Sequence, residues 1–346
     1  MELTGIVMKY PVNRPLTEQE RAQQLKQGQR LNVEPLYQLS VIKMNSTYLE
    51  SVDKWFGWKG SLTLVALASM ALTVSMVGWG ALDWLLRGLG VVATTQDRGE
   101  MLAFGAVTLV IMALSVWGLS WVLRKESFAY THYPMRFDRK ARMVHVFRPN
   151  GTTLSVPWDK VFFTIGSLPR WREWEVRGHV LKSDGVTVEE TFPLSFISTF
   201  DPSSESFDPQ RVAPDDYLRA HWEFIRRYME EGPQAVTGQV QFCMPISSKK
   251  ETFANGIERV CANIAHAPVL GYWMFWPFCM LVSVARGFAM VTSKIPQFPP
   301  KIEASSPIEV DDPYAIEGAP NGDRVAVYPA AAAAAGVRFT GTARVA

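Results

Sequence analysis

The chain has little cysteine and none of the patterns that cysteine chemistry needs. Cys243, Cys261 and Cys279 are its three thiols, with no CxxC pair and no Cys/His cluster. That spacing argues against a zinc site and suits reduced, buried thiols. A surplus of one charge is lacking too: 35 Lys and Arg stand against 33 Asp and Glu, a net charge of +2. No global field then favours nucleic acid. No GxSxG, Walker loop, HExxH or GxGxxG occurs, so no catalytic, cofactor-binding or metal-ligating residue is assigned. His132, His145, His179, His221 and His266 are scattered and read as structural. The adjacent pairs Glu189–Glu190 and Asp311–Asp312 point apart in an extended chain and read as solvated. The expectation is a protein that is not an enzyme and needs no cofactor. Residues 1–60 show no apolar core behind a basic start and read as lacking a secretory leader.

Apolar residues are abundant, at 48% of the chain with twelve Trp. They concentrate near 61–86, 101–123 and 268–292. The first block carries one charge, Asp83, and the second carries none. About 20 apolar residues in a helix cross the ~30 Å of a bilayer's hydrocarbon, so both read as transmembrane helices. Trp55, Trp58, Trp79, Trp84, Trp117 and Trp121 lie at or near their ends, as an aromatic belt requires. Asp83 is the one ionisable group near a span's interior. Arg87 lies four residues on, so an interfacial ion pair is the expected role.

Lys43, Lys54 and Lys59 precede the pair of spans, and Arg124, Lys125, Arg136, Arg139, Lys140 and Arg142 follow it. The positive-inside rule then places both flanks in the cytoplasm. Arg136, Arg139, Lys140 and Arg142 form the best surface candidate for a lipid or protein partner. They serve either as a topology signal alone or as a grip on anionic headgroups.

Beyond residue 126 the period changes from helical to alternating. MVHVFR and TTLSVPW flank Pro149-Asn150-Gly151 as a hairpin, VFFTIG is a third strand, and 174–192 holds a second hairpin turning at Asp184-Gly185. SFDPQRVAPDD reads as a loop into an amphipathic helix that covers the sheet and stops at Gly232-Pro233. Earlier, Thr17 and Glu20 form a capping box for a short helix from Glu18 to Gln27. After residue 250 an amphipathic helix ends at Pro268. The apolar segment that follows holds Pro277 and Arg286, and crossing, re-entering or lying along the membrane all stay open. Should it cross, the tail lies on the far side. The tail itself, rich in Pro and acidic residues and then Ala, reads as extended or disordered.

The expected architecture is a membrane-anchored α+β protein. It comprises an N-terminal cytoplasmic segment (1–59), a two-helix transmembrane hairpin (60–124), a small antiparallel β domain with a closing helix (126–232), a further membrane-associated helical segment (250–294) and a tail (295–346). The strands from RMVHVFR onward and their closing helix resemble bacterial pleckstrin-homology-like domains that follow membrane hairpins. YPVNRPLTEQERA, HYPMRFDRKARMVHVFRPNG and KIPQFPP…IEVDDPY resemble an uncharacterised family of proteobacterial membrane proteins encoded beside type VI secretion effectors. That resemblance implies a bacterial inner-membrane setting, contact with lipids and a protein partner such as a secreted effector, and an immunity or accessory role. A lipid-sensing or scaffold module working through the basic run is the alternative.

Overall fold

The structure is a computed structural model; it describes residues 4–168, 173–194, 214–240, 243–262, 264 and 269–317. The fold is α+β, with two antiparallel sheets and three helices long and apolar enough to cross a membrane. The N-terminal part supplies β1 (Arg14–Pro15), α1 (Glu18–Ala22), β2 (Gln24–Leu25), β3 (Val41–Met44) and β4 (Tyr48–Ser51). The helical hairpin follows as α2 (Ser61–Leu72), one π turn over 73–77, α3 (Gly78–Gly88) and α4 (Arg98–Leu123). Next come β5 (Met135–Asp138), β6 (Met143–Phe147), β7 (Thr153–Pro157), β8 (Val161–Leu168), β9 (Glu173–Leu181), β10 (Thr187–Pro193) and α5 (Pro214–Glu231). The chain ends its described course with α6 (Phe253–Ala262), α7 (Val269–Thr292), α8 (Pro300–Ser305) and β11 (Ile316–Glu317).

The six-stranded sheet runs β11-β3-β4-β5-β6-β7 and the five-stranded sheet β1-β10-β9-β8-β2. The hairpin β6–β7 forms as expected, pairing Val144 with Val156 and Val146 with Leu154. The turn of β9–β10 is built by Asp184, whose carboxylate accepts the amides of Val186 and Thr187, and by Gly185 at φ +67°. The main core lies between the sheets and α5. Trp158 stacks on Trp222 at 5.5 Å, and Phe163 packs on Trp222 at 4.6 Å. α5 covers the sheet as expected and buries two adjoining stripes, Leu218, Trp222, Ile225 and Met229 beside His221, Phe224 and Tyr228.

Several expected boundaries do not divide folded units. Residues 1–59 are not a separate segment: β4 pairs with β5 in the register Glu50↔Arg136, across the whole helical hairpin. The capping box forms, with Glu20 N donating to Thr17 Oγ1 at 3.2 Å and Thr17 N to the Glu20 carboxylate at 2.9 Å. The helix nevertheless ends at Ala22 and not Gln27, because Gln24 and Leu25 pair with β8 and Leu25 enters the core. The tail is likewise no loose appendage as far as residue 317. Phe298 packs at 6.2 Å on Phe147, Asp312 accepts from Ser46 N at 2.6 Å, and β11 extends the sheet beside β3. Residues 318–346, with the alanine run, lie outside the described residues, as do His266, Pro268 and most of the loop before α5.

Both helical pairs are antiparallel and rooted at one end. In the first, Gly105 meets Leu85, Gly88 meets Leu102, and Gly78 meets Met112. In the second, Phe253 lies against Gly287 and Gly256 against Arg286, while Cys261 and Cys279 share a cluster further along. α7 therefore returns toward the sheets. Lys294 N donates to Ala129 O at 2.9 Å, beside the exit of α4. Residues 295–317 therefore lie at the same end of the helices as Ala129 and the sheets.

A folded unit drawn from both sides of the hairpin has a direct consequence. Residues 126–232 expressed alone lack β3, β4 and β11, and leave β5 with an open edge. We expect that fragment to show no cooperative thermal transition by circular dichroism, while the full chain in detergent does. A cooperative transition from the fragment would contradict this account.

Candidate functional site

The basic run is folded into the protein. Arg136, on β5, is 1% exposed. Its Nε and Nη2 donate to Glu50 at 3.2 and 3.0 Å, and Nη1 and Nη2 donate to Glu303 at 3.1 and 2.7 Å. Its guanidinium sits between the rings of Tyr48 and Phe298, at 4.2 and 4.5 Å. Burial alone would lower its pKa; Glu303 and Glu50 raise it instead. Arg139 donates to Ser46 O at 3.1 and 2.9 Å, and Lys140 pairs with Glu309. Arg142 pairs with Asp159 and, at 2.9 Å, with Glu230. Arg136 thus faces the interior, and Lys140 and Arg142 reach solvent already paired. Asp83 and Arg87 pair at 2.8 Å with both side chains partly exposed, as the i,i+4 spacing predicts.

The densest buried polar layer lies elsewhere, where the helices meet the sheets. Arg286, inside α7, is 0% exposed. Its Nε and Nη2 donate to the Glu251 carboxylate at 2.5 and 3.0 Å. Its Nη1 donates to Phe56 O at 2.7 Å and Lys59 O at 3.2 Å, at the threshold of α2. Lys59 is buried and donates to Glu126 O and Tyr130 O, both at 2.9 Å. Glu126 accepts from Thr63 N at 2.6 Å, so the end of α4 caps the start of α2. Asp53 accepts from Tyr133 N at 2.6 Å and Trp55 N at 2.9 Å. Burial pushes the Asp53 carboxyl up, against those bonds and Lys59. Gly60, at φ +103°, lets the chain pass: a Cβ there would lie 2.6 Å from Arg286 N.

Two more buried charge clusters fix the N-terminal segment to the second sheet. Glu175 accepts from Tyr10 at 2.9 Å and Arg177 at 2.7 Å, and pairs with Lys54. Glu20 pairs with Arg14 at 2.5 Å and lies 3.3 Å from His179. Burial would raise the Glu20 pKa, but Arg14 and the Thr17 amide hold it down to about 2. The polar face of β9 is covered: Glu175, Arg177 and His179 are all buried. Lys54 and Lys59, read as topology signals, are interior residues.

Chemically, these groups saturate one another. Burial pushes the Cys243 thiol up to about 12, far from a reactive thiolate. Among the described residues no group of three or more His, Cys, Asp or Glu could hold a metal ion. The arrangement joins helices to sheets; it does not present a nucleophile beside a base. The signal that could have located it is Arg286 itself, an ionisable residue in an apolar run, which implies a buried partner.

Removing one member of such a pair strands the other charge, at a cost of about 3–5 kcal/mol. We expect Arg286→Met to lower the melting temperature of the detergent-solubilised chain sharply, and Arg87→Met, at the exposed pair, to change it little; equal effects would contradict the assignment. Burial also holds His221 and His179 down to about 4, and burial with Lys59 holds His132 down to about 3. Below about pH 6.5 the unfolded chain takes up protons that the folded chain refuses, so stability falls as pH drops from about 6.5 toward 4. Glu20 adds to the loss only at the bottom of this window, since its contribution is full above the unfolded value of 4.5 and is lost from there toward about pH 2. A melting temperature that is flat between pH 7 and 5 would exclude neutral buried histidines.

No curated protein and no solved structure matches the chain. Residues 111–309 match a family of unknown function, DUF6708. The match runs from within α4, through β5 to β10, α5, α6 and α7, to the segment after α8, and covers more than half of the chain; the chain belongs to the DUF6708 family.

Proposed function

We propose that the chain is a non-enzymatic protein of a bacterial inner membrane whose cytoplasmic sheet domain binds another protein. The observation that carries the anchoring is the apolar surface of the helices. Trp117 is 74% exposed and Leu270 83%, within faces too large for water to cover. Arg124 and Lys125 at the exit of α4 support the cytoplasmic side by the positive-inside rule. Protein binding is favoured over chemistry because the buried charges are engaged with one another and brace the domain against the helices. The pleckstrin-homology-like resemblance rests on six strands within residues 126–232, β5 to β10, followed by α5.

The specific role we propose is immunity or assistance to a type VI secretion effector, as the family resemblance implies. The lipid-sensing alternative through Arg136, Arg139, Lys140 and Arg142 draws less support, because Arg136 is buried and Lys140 and Arg142 are ion-paired. Two measurements test the proposal. The chain should stay in the membrane fraction through an alkaline carbonate wash. A strain lacking the gene and its neighbouring effector gene should lose in competition with its parent; equal survival would sink the immunity role.

A further inference from the structure

We propose that the crevice between the start of α6 and the end of α7 binds one anionic phospholipid. An acyl chain lies in the crevice and the headgroup phosphate meets lysines at its mouth. This rests on the membrane-anchored reading above.

The crevice encloses about 280 Å³, room for part of one acyl chain and not for a whole lipid. Its walls are Phe253 and Gly256 on one side and Val284, Gly287, Phe288 and Val291 on the other. Phe253, on α6, and Val284 and Val291, on α7, are 52%, 60% and 74% exposed. Two glycines keep the crevice open. A Cβ on Gly287 would lie 2.9 Å from the Phe253 ring. The depth offers no charge to a headgroup, because Glu251 and Arg286 are bound to each other.

The mouth is different. Lys250 donates to Val291 O at 2.6 Å, at the last turn of α7, next to exposed Lys249 and near exposed Lys294 in sequence. Among the described residues none of these three has a carboxylate within ion-pair distance, in contrast to Lys140 and Arg142. An apolar trough with the Lys250 ammonium at its mouth, free of any carboxylate partner among the described residues, and Lys249 and Lys294 beside it in sequence matches a lipid tail below an anionic headgroup. A peptide would leave its backbone groups unsatisfied in that trough.

The test uses the purified full chain in non-ionic detergent, titrated with phosphatidylglycerol or phosphatidylcholine, with bound lipid counted by native mass spectrometry. Phosphatidylglycerol should bind more tightly. The triple change Lys249→Gln, Lys250→Gln, Lys294→Gln should weaken it about fivefold for each lysine removed, while Lys140→Gln leaves it unchanged. Free glycerol phosphate should not compete. Equal binding of the two lipids, an unaffected triple variant, or competition by glycerol phosphate would each overturn the proposal. The carbonate wash separates the two readings: a chain that washes off the membrane sinks the anchoring and this site together. A chain that stays but binds both lipids equally sinks only the site.

Discussion

A guanidinium buried within an apolar helix is the constraint on which the remaining structure depends. Arg286 cannot face hydrocarbon uncompensated, since a buried unpaired charge costs several kcal/mol. It donates two bonds to the Glu251 carboxylate and one each to the carbonyls of Phe56 and Lys59. Those carbonyls lie at the turn into α2, where Gly60 brings the backbone against α7. One side chain therefore ties the second helical pair to the first. Through Lys59 and Glu126, the same layer reaches the exit of α4.

Once both helical pairs are fixed at one end, the sheets follow. β4 enters the first hairpin and β5 leaves it, and the two pair directly, so the hairpin is an insertion within one sheet. α7 ends beside Ala129, so the segment after it lies across the same sheet and places Glu303 on Arg136. A buried ion pair of this kind is weak support for net stability. What it supplies here is registry: Arg136 has two carboxylates only when β4 and the 294–317 segment are both in place.

The sequence made some of this legible. Continuous apolar runs showed the helices, because no soluble core needs 23 residues without a charge, as over 101–123. The hairpin turns at Gly151 and Asp184-Gly185 and the two stripes of α5 were readable from period and turn chemistry. What stayed hidden depends on contacts distant in sequence. Tyr48, Leu49 and Glu50 carry no signal that they pair with residues more than 80 positions later. Arg136, Arg139, Lys140 and Arg142 look like a surface patch because they cluster in sequence, yet a strand sends neighbours to opposite faces and their partners, Glu50, Glu303, Glu309 and Asp159, are mostly far away. The same holds for Lys54 and Lys59, whose charge was legible and whose burial was not. The acidic, proline-rich stretch near 300 has the composition of a disordered tail, and it folds because its carboxylates meet those cations.

The central proposal is that both helical pairs leave from, and return to, one side of a membrane. Single cysteines at position 96, in the α3–α4 connection, and position 301, on α8, test it most directly in a chain otherwise free of cysteine. The measurement is labelling of intact spheroplasts with a membrane-impermeant maleimide. Gln96→Cys should label without permeabilisation, and Lys301→Cys only after it. Labelling of both positions in intact spheroplasts would place residue 301 on the far side and contradict the account.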